Sequence, residues 1–560
     1  MIKFYDLLHV WQVSVVRRFF YLAIILCISA PIVYAQPYES AYSRPQSGHG
    51  PFFQADNLTP EHSRTASSQP YDLTPPVITY TPLPDICATG NRTLTATITD
   101  PDGVPTSGTG LPVLYYRINN NGAWLPITGV SIGSNQYTFT FGGAALPTNI
   151  VTYYIVAQDN ASTPNVGAQP SAGAGGFTSD PPAASIEPST PNFYVIQPTL
   201  AAGTYLVGAG QTYLTITDAV NGYNSSCLSG PVVFSLTDLN YSASETFPII
   251  IYNPAASSTN TLTIKPNSSS NTVITGSSPD GLFKLYGADY VTFEGSFNFT
   301  TTRNLVITNT NTSANASVIW LGSQGASNGA TNNTIRNCRI NGNSGVTAGS
   351  TTEYGIFAGS GIAEGSPAEA PNNNNIFRNN QIEKVVVGIH VSGPAANETG
   401  TIIDKNAIGP SSGATNAIGY RGVWASNQAN LTISGNTITS LISTFGIGSD
   451  TDPTAGIIIN GTIATANIFS NNVNGIRNTN VAGWQSFGIC LQSSSANAAV
   501  KVYNNFIYAI TGNGKSSSAL QNGHGLAVLT GGGYGIYYNS VHLATNQGTA
   551  GISSCLYIGS

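Results

Sequence analysis

The sequence predicts an all-β chain: a β-sandwich module followed by a solenoid of stacked parallel strands, a β-helix, with a helix capping its N-terminal end. Three observations carry this expectation. One phrase recurs through the C-terminal half: apolar residue, two spacers, Asn, one spacer, apolar residue. It stands as Phe377…Asn380…Ile382, Ile403…Asn406…Ile408, Ile433…Asn436…Ile438, Ile468…Asn471…Val473, Val502…Asn505…Ile507 and Ile536…Asn539…Val541. Successive Asn positions differ by 26, 30, 35, 34 and 34 residues. A second phrase, Gly followed by an apolar residue, is interleaved at Gly355, Gly388, Gly422, Gly456, Gly488, Gly525 and Gly551, with steps of 33, 34, 34, 32, 37 and 26. Two interleaved phrases on one period are the mark of a solenoid. The third observation is a set of short apolar runs separated by turn residues between 76 and 197, the pattern of a sandwich.

Each solenoid phrase is short, rich in β-branched residues and alternating, so it reads as a strand. The Gly, Asn, Ser and Thr between phrases are turn formers. The Asn is expected where the coil corners, because Asn tolerates a left-handed backbone and its amide can bond the Asn of the next turn. An earlier copy, Ile335…Cys338…Ile340, puts a small Cys in the Asn place near one end of the stack. The run Leu431-x-Ile433-x-x-Asn436-x-Ile438 also fits the tail of a leucine-rich repeat. The spacing of mostly 32–37 residues exceeds the roughly 20–29 of such repeats, and no helical run separates the phrases. The Asn rungs resemble the pectate-lyase-like right-handed parallel β-helix, which implies that architecture for residues 198–560.

In chain order, residues 1–35 read as a signal peptide. Arg17 and Arg18 precede the apolar run 19–28, and Val33-Tyr34-Ala35 offers a cleavage site. An ordinary secretory signal is expected over a twin-arginine one, and Leu26 before Cys27 argues against a lipoprotein. Residues 36–75 are polar and read as a disordered linker. Within 76–197, strands are expected at 93–98, 113–118, 137–141, 151–157 and 193–196, with turns at Asp100-Pro101-Asp102-Gly103 and Asn119-Asn120-Asn121-Gly122. This module resembles the immunoglobulin-like or fibronectin-type-III-like modules of bacterial surface proteins, which implies a spacer. A sugar-binding role for Trp124 is the alternative. The Pro/Ser/Ala-rich run 179–191 reads as a second linker. A helix over 214–223, with Leu214, Ile216, Ala219, Val220 and Tyr223 on one side, is expected to plug the first rung, whose apolar core and strand edges would otherwise lie open. The sequence stops at Ser560 in mid-repeat, so we expect a piece of a longer chain. A resemblance to secreted proteins of the Bacteroidetes type implies a sorting domain for type IX secretion beyond it.

Only 8% of the 560 residues are charged, against about 25% in ordinary domains, and the net charge is −6. No basic run exists, which argues against nucleic acid as a partner. Removing Cys27 with the signal leaves Cys87, Cys227, Cys338, Cys490 and Cys555. An odd number leaves at least one thiol free or paired outside the chain. Each is expected as a small buried apolar residue, and none has metal-ligand spacing. A disulfide between Cys490 and Cys555 is an option that the spacing does not require.

Chemistry is sparse. Glycoside hydrolysis needs two carboxylates about 5–9.5 Å apart, supplied on a β-helix by neighbouring rungs. The acids on offer are Asp404, Asp450, Asp452, Glu383, Glu398 and the group Glu353, Glu364 and Glu369. Asp404 has no acid at the matching place of a neighbouring rung. Gly523-His524-Gly525 is similar to the Gly-His-Gly of polygalacturonases, but their paired Asp and Arg-Ile-Lys partners are absent, so His524 reads as a turn residue before a strand. Asp450-x-Asp452 is the best calcium candidate, and no other cofactor is indicated. Trp424, Trp484 and Tyr420 lie in or beside rung loops and are the candidates for stacking on sugars; the competing reading is that they cover the core at corners. The reading leans to a non-catalytic secreted or cell-surface protein, a spacer and stalk for adhesion or for binding a polysaccharide or host glycan, with no membrane span in the mature chain. A divergent polysaccharide lyase or glycoside hydrolase is the alternative.

Overall fold

The structure, a computed structural model, describes residues 73–343, 352–409, 416–445, 453–480, 484–514, 522–547 and 551–559. The signal peptide, nearly all of the 36–75 linker and both calcium candidates, Asp450 and Asp452, lie outside the described residues.

The N-terminal module is a β-sandwich of antiparallel sheets. One sheet runs in the order Val77–Thr79, Arg92–Thr99, Gln136–Phe141, Val130–Gly133; the other runs Asn192–Val195, Ile150–Gln158, Val113–Ile118, Asn121–Thr128. Alternate residues of both, among them Leu94, Ile98, Phe139, Tyr153 and Ile155, fill one shared core. The strand Asn121–Thr128 falls where a turn was expected through Gly122. Asn119 and Asn120, at φ 55° and 54°, make the whole reversal, a two-residue hairpin turn that places Asn121 already in the next strand. Pro126 is tolerated because this strand is an edge. The expected linker at 179–191 is structured in part: Ala183–Ile186 pairs antiparallel with Gly175–Thr178.

The sandwich is joined covalently to the solenoid by a disulfide between Cys87 and Cys227, 140 residues apart in sequence. The expectation of buried thiols at these two positions is corrected. Ile86 bridges Ile196 at the end of the sandwich, and three residues later Thr199 pairs with Cys227 at the start of the solenoid. That path brings the two sulfurs together, and no spacing rule reveals it. Cys338 and Cys490 are buried free thiols, and Cys555 is an exposed one.

The capping helix, α1, spans Ile216–Asn224. Thr215 is its N-cap, accepting from the backbone N–H of Asp218 at 2.9 Å. The Glu245 carboxylate accepts from the free N–H groups of Ile216 and Thr217, each at 2.8 Å. Ile216, Ala219, Val220 and Tyr223 are buried against the first rungs, as the periodicity predicted, but Leu214 lies ahead of the cap and is exposed.

Three parallel sheets then wind into a β-helix of about nine turns. Sheet A runs from Gly203–Val207 to Tyr534–Tyr537, sheet B from Asn240–Tyr241 to Ser540–His542, and sheet C from Ile249–Ile251 to Ser554–Ile558. The two apolar residues of each Asn phrase point inward on sheets A and B. Phe377, Ile403, Ile433 and Ile468 stack in register on A, and Ile382, Ile408, Ile438 and Val473 on B. The residue after each repeat glycine, Ile356 through Leu526, stacks inward on C. Together they form one continuous, mostly aliphatic core, with aromatics such as Phe234, Phe283 and Phe293 in its early rungs.

The corner between A and B is held by the asparagines. Each side-chain amide from Asn380 to Asn505 donates to the carbonyl oxygen of the next Asn, at 2.9–3.0 Å, ending on Asn539. Each amide oxygen also accepts the backbone N–H of the preceding rung, and Cys338 N–H caps the stack on Asn380 at 3.0 Å. The left-handed residue is not the ladder Asn itself. It is the residue just before it, Asn379, Lys405, Ser470, Asn504 and Tyr538 among them, at φ 52–56°. The ladder Asn needs a regular backbone so that its amide can turn into the corner. The repeat glycines sit where strands enter sheet C. A Cβ on Gly422 would lie 2.5 Å from the Gly456 carbonyl oxygen and 2.6 Å from Ile438 Cγ2. Gly551 is not part of this column: its place is taken by Cys555, whose carbonyl lies 2.7 Å from a Cβ built on Gly525.

Candidate functional site

Tyr420 and Trp424 belong to the outer face of sheet C. In register on that face stand Lys284, Trp320, Phe357, His390 and Trp424. The faces of both candidate rings are already occupied. Tyr420 is 6% exposed and stacks on Phe445 at 4.8 Å. Trp424 stacks on His390 at 3.8 Å and 8°, and its indole N–H donates to Asn460 at 3.0 Å. The Arg421 guanidinium lies 4.4 Å from the Tyr420 ring and 4.1 Å from that of Trp424. Trp484 is half-buried ahead of the strand Ser486–Ser493. Trp124, in the sandwich, packs edge-on to Tyr154 with Arg117 over its ring. His390 is fully buried, and among the described residues neither ring nitrogen has a hydrogen-bond partner; burial, then the charge of Arg421, holds it well below the usual imidazole range.

The acids near this face are held in different states. Burial pushes Glu364 up to about 9, against the hydrogen bond donated by Ser317 at 3.0 Å, and Glu353 is among the charges that raise it. Burial likewise raises Glu353 to about 7, with Arg421 opposing. Glu369 goes the other way. Burial acts upward, but bonds donated by Ser323, Ser360 and the Gly361 N–H outweigh it, so this carboxylate ties down the loop after Tyr354–Gly359. His524 is not a turn residue. It lies inside the strand Gly523–Thr530, fully buried, bonded to Ser554 at 2.8 Å, and burial lowers it to about 4. Among the described residues no three His, Cys, Asp or Glu side chains gather as a metal site.

The open surface lies elsewhere, on the outside of the Asn corner. The first spacer of each Asn phrase points outward at the end of a sheet A strand. In register these are Arg336, Arg378, Asp404 and Ser434, followed by Phe469, Tyr503 and Tyr537. The aromatic end is a stack: Phe469 to Tyr503 is 5.0 Å at 4°, and Tyr503 to Tyr537 is 5.3 Å at 8°. Tyr538, in the turn, stands edge-on to Tyr537 at 86° and is 83% exposed. Across the corner on sheet B, Phe506 is 47% exposed beside Tyr508. Aromatics gathered on one outer edge of a solenoid, several of them exposed, mark an interaction surface. The charged end contains Asp404, held by Arg378 at 3.0 Å and Ser434 at 2.9 Å. Glu294 extends the same column, three rungs from Asp404, or about 14 Å at strand spacing. That exceeds the separation of a hydrolytic carboxylate pair. The signal for this surface was in the phrase itself, at the spacers passed over as filler.

These features define a sandwich joined to a parallel β-helix with one aromatic, partly charged edge. The chain matches no family model. No curated protein matches it. Among solved structures it is similar to a pectin methylesterase from Aspergillus niger, at 13% identity over 64% of this chain and 91% of that one, TM-score 0.28. It is also similar to PfbA, a surface adhesin of Streptococcus pneumoniae, at 13% identity over 61% and 87%, TM-score 0.27. A family 28 exopolygalacturonase from Yersinia enterocolitica covers 86% of this chain and 98% of its own at 10% identity, TM-score 0.15. No helix among the described residues is long and apolar enough to cross a membrane.

Proposed function

We propose that this is a secreted or cell-surface protein whose β-helix binds a glycan along the outside of the Asn corner, with the sandwich as spacer. The observation that carries the reading is the aromatic edge on neighbouring rungs, in which half-buried Phe469 and Tyr503 lead to exposed Tyr537, Tyr538 and Phe506. Sugar rings present apolar C–H faces that stack on aromatic rings, while their hydroxyls remain hydrated. The Cys87–Cys227 bridge supports an oxidising, extracytoplasmic setting. The test is a glycan array followed by titration calorimetry of the best binder. Combined Tyr503→Ala, Tyr537→Ala and Tyr538→Ala should weaken binding at least about tenfold, taking roughly 0.5–1.5 kcal/mol per ring. Full affinity in a folded triple variant refutes the reading.

A second reading is a divergent polysaccharide-degrading enzyme. It is favoured by Glu353 and Glu364, two carboxyls held up at about 7 and about 9 beside Arg421 and Tyr354. A reducing-end assay on pectin, alginate and chondroitin tests it; turnover abolished by Glu353→Gln would replace the first reading.

A further inference from the structure

We infer that the glycan is a linear anionic polysaccharide, laid along the Asn corner so that its acidic groups meet arginines and its rings meet the aromatic end. This rests on the glycan-binding reading and adds the ligand's charge. Arg336 and Arg378 are register partners on adjacent strands. Each is pinned through Nε to a carboxylate: Arg336 to the buried Glu294 at 2.5 Å, Arg378 to Asp404 at 3.0 Å. Their side chains remain 40% and 47% exposed. The pinning fixes each planar guanidinium and leaves its terminal Nη groups facing water, with no other hydrogen bond among the described residues. That is a preorganised fork for a carboxylate or sulfate.

Two further arginines flank the turn. Arg303 donates to the backbone and side-chain oxygens of Asn379, both at 2.8 Å. Arg339 faces out from the sheet B side, in register with Gln381, and its Nε is buried with no hydrogen-bond partner among the described residues. Lys405, in the next turn, is 71% exposed. Glu294 and Asp404 are each already paired with an arginine, and Arg303 and Arg339, close enough to feel one another's charge, add further cations to this edge on a chain whose net charge is −6. Like charges held this close repel, and an anionic ligand relieves the repulsion. From Arg336 to Tyr537 the column takes six rungs, about 29 Å at strand spacing. A rung repeat of about 4.8 Å lets an extended polymer meet an equivalent position at every turn.

The probes are alginate (carboxylates only), dextran sulfate (sulfates only) and dextran (neutral), titrated into the full chain at low and high salt. Binding of one or both anionic polymers, weakening with salt and stronger than dextran by at least about tenfold, is expected; which polymer binds identifies the anion. Combined Arg336→Gln and Arg378→Gln should cut anionic binding about tenfold and leave dextran unchanged. Because these changes take the arginine from buried Glu294, Lys405→Gln, whose ion pair is with Asp404 alone among the described residues, is the second variant and should weaken anionic binding about threefold. Equal binding of all three polymers, or Arg and Lys variants with unaltered alginate and dextran sulfate affinity, overturns the anionic assignment. If the tyrosine triple variant still loses dextran in that case, the glycan-binding reading stands; if it loses nothing, both fall.

Discussion

Replacing Asn436 by Ala removes four hydrogen bonds at once. Its amide donates to the Ile403 carbonyl at 2.9 Å and to Asn471 Oδ1 at 2.9 Å, while its own oxygen accepts from Asn406 N at 2.9 Å and Asn406 Nδ2 at 3.0 Å. The residue is fully buried, so water cannot replace these partners. At about 1 kcal/mol each the loss is about 4 kcal/mol, and the orphaned Asn406 N–H keeps the cost at that end of the range. Asn539 makes similar bonds, but its site is only part-buried and water can enter, so Asn539→Ala should cost about 1–2 kcal/mol. Urea unfolding followed by far-UV circular dichroism measures both. A double-mutant cycle of Asn436→Ala with Asn471→Ala should also show coupling, because the two share a bond. The two single substitutions costing the same, or Asn436→Ala costing under about 1 kcal/mol, would show that the ladder decorates the corner without holding it.

Three other outcomes follow from the packing. Gly422→Ala forces a Cβ to 2.5 Å from the next rung's carbonyl and should cost about 1–3 kcal/mol as a lowered Tm; an unchanged Tm contradicts the close stacking. Glu364 is held neutral in the folded chain, so its pKa of about 9 lies above the ordinary carboxyl value. The folded state then binds the extra proton, and stability falls as pH rises from about 4.5 toward 9. Glu364→Gln should therefore raise Tm at pH 8 and leave it unaltered near pH 4; a variant less stable at pH 8 reverses the sign and sinks the argument. Cys87→Ser with Cys227→Ser opens a loop of 140 residues, worth about 5 kcal/mol on chain entropy alone. The sandwich and first rungs should melt earlier, and a melting profile insensitive to reductant would contradict that.

The inward half of this solenoid was legible because its period repeats a physical need. Ile403, Ile433 and Ile468 must meet one core, and any rung that failed would leave a cavity. The Asn column was legible for the same reason, since each amide requires the next. What escaped was set by single events. The Cys87–Cys227 bridge depends on where two modules meet. The strand Asn121–Thr128 was hidden because Asn121-Gly122 has turn composition, while the actual turn is one step earlier. Gly551 imitates the glycine column in sequence, but the chain reaches the rung only at Cys555. Tyr420 and Trp424 have the composition of a sugar platform, yet the neighbouring Phe445, His390 and Arg421 already cover their faces.

That contrast bears on where function can reside in such a chain. Inward positions are committed to the core, and the ladder and glycine positions to the corners, so only the outward positions are free to differ from rung to rung. On sheet C the middle of the outward column is buried, Trp320, Phe357 and His390 with it, while Lys284 and Trp424 are half-buried. On the Asn corner the outward column changes along the axis from arginine through serine to aromatic, although every one of these positions has the same backbone setting. Folding alone does not ask for that gradient, because Ser434 satisfies the same position that Arg378 and Tyr503 occupy. A graded edge on a uniform scaffold is therefore the part of the molecule whose composition the fold leaves unexplained, and the proposed polymer, whose every unit carries both an acidic group and an apolar ring face, gives both ends of the gradient something to hold.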